Sequence, residues 1–239
     1  MAVAEAELAD WRRRISELYA AARAHDDPER AHALWRSGRD ALFRAHPQSP
    51  LPPGDLLRET GVPYWPYDPA LRFNLPLLPA PGPEQRLAPA GGDGSARLRL
   101  LGQVELPAPL SATIGVWWLQ QYAGGLFLPL RDGTADQASY GGGRHLLDTA
   151  KGADLGGTAS TLIIDLNFLY HASCRYSSRW QCPLAQPANT ITAPVHAGER
   201  LNHSHQPPGA SARRSGPGNG GQTVLASPGS PSRQEKPRW

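Results

Sequence analysis

The residues most able to do chemistry sit where the surrounding sequence is apolar. In "STLIIDLNFLY", residues 160 to 170, an Asp and an Asn interrupt a run that otherwise reads as a buried strand. Strand alternation places Leu162, Ile164, Leu166, Phe168 and Tyr170 on one face, and Ile163, Asp165, Asn167 and Leu169 on the other. A carboxylate among apolar neighbours is costly unless it is paired or hydrogen-bonded, so Asp165 requires a partner. Arg144 of "YGGGRHLLD" is the expected one, because the triple glycine before it lets backbone and ligand approach closely. With Glu199 of "HAGERL" these residues form a polar cluster. In a small-molecule site Arg144 would clamp an anionic group, Asp165 or Glu199 would act as acid or base, and Asn167 and Asn189 would orient the substrate. The same residues would equally serve a structural Arg–Asp pair with Asn167 capping a turn.

A second group lies in "HASCRYSSRWQCP", which holds both cysteines of the chain, Cys174 and Cys182, close to His171. Thiol and imidazole both bind zinc, and His196 would supply a fourth ligand, but the spacing matches no standard zinc signature, so no metal is assigned. A single thiolate nucleophile is the other chemical option, although no Cys-His-Asn order is legible. Two small buried side chains at strand ends is the plain reading. "YGGGRH" is followed by no GK[ST], which removes a phosphate-loop reading.

These residues need elements to hold them. Leu8, Trp11, Ile15, Leu18, Tyr19 and Ala22 recur at three- and four-residue spacing, which predicts an amphipathic helix over residues 4 to 25. Asp27 as N-cap, with Pro28 at the first helical position, predicts a second helix to about Phe43. The stretch from residue 47 to 96 is punctuated by Pro and Gly, with short extended pieces and a mobile loop expected near residues 79 to 95. From Arg97 the texture is β: "RLRLLGQVEL", "IGVWWLQQY", "GLFLPLRDGT" and "STLIIDLNFLY" read as four strands. The expected fold is α+β, mainly an antiparallel meander or small roll with two N-terminal helices. It divides into a helical pair (1–46), an extended connection (47–96), a β-rich core carrying the site (97–204) and a disordered tail (205–239), where Pro, Gly and Ser replace apolar residues.

Charge bounds the partners. The chain of 239 residues has a net charge of +3, but the tail alone holds Arg213, Arg214, Arg233, Lys236 and Arg238 against Glu235. Residues 1 to 204 are therefore nearly neutral, which argues against a nucleic-acid partner. No apolar run has membrane-spanning length and the N-terminus lacks a secretory pattern, so no membrane association and a cytoplasmic location are expected. The sequence names no cofactor, reaction, protein partner or oligomeric state.

Taken in order, "WRRRISELY", "LWRSGRDALFRAHPQSPL", "YDPALRF", "GGLFLPLRDGT", "YGGGRHLLDTAKGADLGG", "LNFLYHASCRYSSRWQCPLAQPAN" and "AGERL" resemble the actinobacterial branch of domain-of-unknown-function family 1684. The resemblance runs from about Trp11 to Leu201. It implies motif positions at Arg144, Asp165, Asn167, Tyr170, Cys174, Cys182, Pro183, Asn189 and Glu199, and it implies no activity. His145 stands where the family usually has Tyr, Leu166 replaces a Phe, and Ala172 replaces a Pro. His171 stands where many relatives carry Asn, which counts against a zinc ligand there. The expected function is a small-molecule site built from the polar cluster, with a non-catalytic interaction module and a Cys/His metal or thiol site as alternatives.

Overall fold

The computed structural model describes residues 2–80, 84–87, 96–120 and 124–202. The tail expected from residue 205 lies outside them. Helix α1 spans Ala2–Ala24 and α2 spans Pro28–Ala45. Asp27 caps α2 as its sequence requires: Oδ1 accepts from the N–H groups of Glu29 and Arg30 at 3.0 and 3.1 Å. The apolar stripes of the two helices meet, with Trp11 stacked on Phe43 and Tyr19 edge-on to Trp35. A single turn, α3 (Leu57–Thr60), follows.

Among the described residues, nine strands follow: β1 Arg72–Pro76, β2 Leu78–Pro79, β3 Glu84–Leu87, β4 Ala96–Leu106, β5 Ala112–Leu119, β6 Leu126–Leu130, β7 Arg144–Asp148, β8 Thr161–Asp165 and β9 Tyr170–His171. The main sheet is antiparallel in the order β2-β4-β5-β6-β7-β9, and β3 also pairs with β4. Its central run is the expected meander. Strands β1 and β8 form a separate antiparallel ribbon in which Arg72 lies opposite Asp165. One core joins helices, sheet and ribbon, with Tyr19, Trp35, Phe43, Ile114, Leu128, Leu146, Ile164 and Phe168 all buried in it.

Three expectations need correction. The strand predicted to run through Tyr170 stops at Asp165, whose Oδ1 accepts from the Asn167 N–H at 3.1 Å and opens the 3-10 turn Leu166–Phe168. A local side-chain bond of this kind competes with the strand ladder and ends it. Within the loop expected at residues 79 to 95, β3 pairs with β4; residues 81–83 and 88–95 lie outside the description. Strand β7, in "RHLLD", carries no alternation because all five of its residues are buried, and a strand with no wet face has no period to read.

Candidate functional site

Arg144 begins β7 and is fully buried. Its partner is not Asp165, as expected, but Asp132, whose Oδ2 lies 2.7 Å from Nη2. The guanidinium also donates to the carbonyls of Val195 (3.0 Å), Ala197 and Glu199 (3.0 Å). The three carbonyls come from alternate residues of one loop segment that turns at Gly198 (φ 74°), and a single side chain satisfies them where no neighbouring strand does. Trp65 covers the guanidinium, its ring centroid 5.1 Å away. Burial opposes the Asp132 charge, but Arg144 and the N–H groups of Val195 and Thr134 outweigh it and hold the carboxyl below the usual range. No surface of Arg144 remains for a ligand anion.

Glu199 is a second buried node. Its Oε1 accepts from Arg39 Nε (2.8 Å) and Tyr64 Oη (3.1 Å), and its Oε2 from the His171 N–H (2.6 Å) and Tyr176 Oη (3.0 Å). Arg39 comes from α2, so this carboxylate fastens the helix to the sheet. Tyr170 lies against the same guanidinium, 4.9 Å from ring centroid to Cζ. His171 Nδ1 is 3.4 Å from Glu199 Oε2, yet burial and the surrounding arginines push its imidazole well below the ordinary value, so it is neutral.

Asn189 closes a gap in the sheet. Strands β5 and β6 pair at Trp117–Phe127 and Trp118–Leu126. Continued in that register, Gly115 would face Pro129, which has no N–H to give. Asn189 Nδ2 donates to both carbonyls instead, at 2.7 Å to Gly115 and 2.8 Å to Pro129, while its Oδ1 accepts from Trp117 Nε1 at 2.7 Å. Glycine at position 115 leaves room for the amide, since a Cβ there would sit 2.8 Å from Leu100 Cδ1 and 3.1 Å from Asn189 Oδ1 and press on both side chains.

Asn167 holds the loop before β1: Oδ1 accepts from the Asp68 N–H and Nδ2 donates to the Asp68 carbonyl, both at 2.9 Å, with a third bond of 2.8 Å to Asp165. Asp165 is the predicted residue that reaches a cleft. Thr161, Ile163 and Asp165 share one face of β8, as alternation requires, and Arg72 and Asn74 share the same face of β1. Around this floor the cleft, of about 600 Å³, is walled by Ala22, Arg23 and His25 after α1, Pro28 and Ala31 of α2, and the Gly156-Gly157-Thr158 turn. Tyr67 Oη donates to Asp165 Oδ2 at 3.2 Å, and Arg72 Nε lies 3.5 Å away. Burial raises the Asp165 carboxyl above the usual carboxylate range despite the bonds from Asn167 and Tyr67. A larger groove of about 1010 Å³ runs along α1 and α2, lined largely by alanine and leucine, and its one buried polar side chain, His46, is paired with Asp10 at 3.3 Å.

Cys174 is half-buried and Cys182 buried, both as free thiols. The four conceivable zinc ligands do not converge: His171 turns to Glu199 and His196 rests against Trp65. Among the described residues no three His, Cys, Asp or Glu side chains are arranged to hold a metal ion.

Sequence reasoning missed Asp132, Arg39, Tyr64, Tyr176 and Arg72. Two of them had a signal. Arg39 lies four residues from both Trp35 and Phe43, on the apolar stripe, where a charge must find a buried partner. Asp132 was legible as a turn former, and its Oδ1 does accept from the Thr134 N–H at 2.9 Å; its second oxygen is the one Arg144 uses.

Fold and buried nodes together define an α+β protein whose antiparallel sheet is fastened by long-range polar side chains. The chain belongs to the family described as protein of unknown function (DUF1684), whose sequence pattern matches residues 59–200. The match begins after both long helices and ends just beyond Glu199. Among solved structures the chain is similar to an uncharacterized protein of Haloarcula marismortui determined by solution NMR. That likeness has 28% sequence identity and a TM-score of 0.51, and covers 71% of this chain and 92% of that one. No curated protein matches the chain.

Proposed function

We propose that this protein binds a small polar molecule in the cleft over the β1–β8 ribbon, and that Asp165 is the group at which any proton transfer would occur. The observation that carries the reading is the Asp165 carboxyl itself, buried at the cleft floor and raised by that burial. A carboxyl that burial makes more basic is a better proton acceptor than a free one, and such groups concentrate at functional sites. The cleft volume suits a small ligand, and it combines apolar walls with a few convergent polar groups. Arg23 and Arg72 add two guanidinium groups to those walls, which favours a ligand with an anionic end.

The reading differs from a site made of Arg144, Asn167, Asn189 and Glu199, whose polar atoms, Arg144 Nε apart, are engaged within the protein. That engagement supports a second reading, a non-catalytic module in which the motif residues only build the fold. Mass spectrometry of protein from its native host, under native and then denaturing conditions, separates the two. A retained mass that disappears from Arg72→Ala protein, with the folded charge-state distribution unchanged, supports the cleft. A bare polypeptide, together with no thermal shift from a panel of small carboxylates and phosphates, defeats the cleft reading and leaves the module.

A further inference from the structure

Two guanidinium groups reach the cleft from different elements, and the fold uses little of either. Arg72 on β1 stands opposite Asp165 in the ribbon, its Nε 3.5 Å from Asp165 Oδ2. Arg23, at the end of α1, donates from Nη1 to the Asp154 carbonyl at 2.5 Å, with Asp154 Oδ2 3.8 Å away. A guanidinium carries five N–H groups in a fixed fork, and among the described residues no other acceptor meets these two. Both side chains line the cleft, 36% and 38% exposed for Arg23 and Arg72.

The turn beside the ribbon sets their spacing. Arg23 lies across Gly156, where a Cβ would stand 3.0 Å from the Arg23 Cδ, and the Gly156 carbonyl accepts from the Ile163 N–H at 3.1 Å. Gly156 therefore sits beside Ile163, the neighbour of Asp165 on the cleft floor. Same-face neighbours along a strand are about 7 Å apart, so the two arginines approach the floor roughly one such step apart. Two further donors face the same space. His25 Nδ1 accepts the Asp27 N–H at 3.0 Å, which leaves the proton of the neutral ring on Nε2. Asn74, opposite Ile163 in the ribbon, has no side-chain hydrogen bond among the described residues.

Resting on the cleft reading above, we infer that the ligand is a small phosphate monoester whose phosphoryl group bridges Arg23 and Arg72. A carboxylate brings two oxygens and one charge, fewer acceptors than two guanidinium groups have donors for. A phosphoryl group brings three terminal oxygens and close to two negative charges at neutral pH, one for each arginine, and oxyanions of this kind suit the guanidinium fork. A dianion beside Asp165 favours the neutral form of its carboxyl, so Asp165 takes a proton from solvent and donates it to a phosphoryl oxygen instead of repelling the group. Asn74 and His25 then hold polar groups of the esterified part, with Ala22, Ala31 and Phe168 against its apolar atoms. A volume of about 600 Å³ admits the ester of a small molecule.

The test is titration calorimetry on the full chain at about pH 7.5, where a phosphate ester carries nearly two charges, with phenyl phosphate, phenyl sulfate and benzoate as probes that share one ring. Phenyl phosphate should bind, and the two singly charged probes should bind at least about tenfold more weakly, the effect of losing one charge-assisted hydrogen bond. Arg23→Gln and Arg72→Gln should each weaken phenyl phosphate by a similar factor while the unliganded proteins melt as wild type does. The ranking of the probes is read on wild-type protein, so it decides the matter even where a variant fails to fold. Benzoate that binds as tightly as phenyl phosphate, and is lost in Arg72→Gln, overturns the phosphate ester and keeps the cleft. Phenyl phosphate that binds both variants as it binds wild type sits elsewhere and overturns the inference as well. If none of the three binds, the ester is refuted, and the cleft itself falls only when protein from the native host also carries no retained mass.

Discussion

Arg144 and Asn189 each perform a task usually left to backbone. Arg144 serves three carbonyls of one loop segment, and Asn189 serves the two carbonyls at which a proline has removed the ladder bond. Their removal strands what they satisfy. Arg144→Ala leaves Asp132 buried without its counter-charge, and breaking one side of a buried ion pair costs about 3–5 kcal/mol. Asn189→Ala leaves the Gly115 and Pro129 carbonyls and the Trp117 indole N–H without partners, at about 1–3 kcal/mol each. Urea unfolding should show both variants with sharply lower midpoints, or unfolded without denaturant, since a domain commonly has only about 5–15 kcal/mol in total. A midpoint near wild type for either one would mean that its bonds are readily replaced. The triple glycine made Arg144 conspicuous in the sequence, and the family resemblance did so for Asn189. Neither signal could say which partners: Asp132 and the Val195–Glu199 carbonyls approach Arg144 only through the tertiary fold, and no local pattern encodes that.

At the scale of elements, legibility follows the range of the forces involved. The start of α2 was readable because its determinants are adjacent: an Asp, a Pro, and the N–H groups they serve. Asp27→Ala should cost about 1 kcal/mol, the usual worth of such a cap, and lower the melting temperature without changing the near-ultraviolet spectrum of the packed tryptophans. The break after β8 was half readable, since alternation correctly set Ile163 and Asp165 on one face but carried the strand past the turn that Asp165 itself caps. The partnership of β8 with β1 was not readable at all. Their registers join residues some ninety positions apart, so the cleft that their shared face floors could be found only in three dimensions.

Across the whole molecule, buried imidazoles set the response to acid. Burial holds His32 and His145 down at about 4, against an ordinary value of 6.5. Between those values the unfolded chain binds protons that the folded chain refuses, so stability is complete above pH 6.5 and is lost as pH falls toward 4. Each histidine removes about 1 kcal/mol at one pH unit below 6.5, and up to about 3 kcal/mol by pH 4. Asp165 has the opposite sign: its raised carboxyl favours the folded state on the acid side, and that contribution is lost as pH rises through its folded pKa. His171, also held well below its ordinary value, acts with these two histidines, while the raised Asp40 acts with Asp165. Urea midpoints measured between pH 7 and pH 5 should therefore fall, and fall less in His145→Gln protein, where a neutral amide can still donate to the Pro183 carbonyl that His145 meets at 2.9 Å. A flat profile would show that the imidazoles gain protons without loss of packing.

The bonds of Asn189 reach back 60 and 74 positions, and the Arg39–Glu199 bond spans 160. Synthesis on the ribosome proceeds from the N-terminus, so α2 and the first six strands emerge well before the residues that fasten them. Until Asn189 clears the exit tunnel the gap between β5 and β6 stays open, and until Glu199 follows it α2 lacks its buried ion pair to the rest of the fold. Nascent chains arrested short of Ala185 should thus be digested quickly by protease, whereas chains that have extruded Leu201 resist. The last dozen residues of the family's matched region act as a latch, so the sheet that emerges before them is fastened only once they have followed.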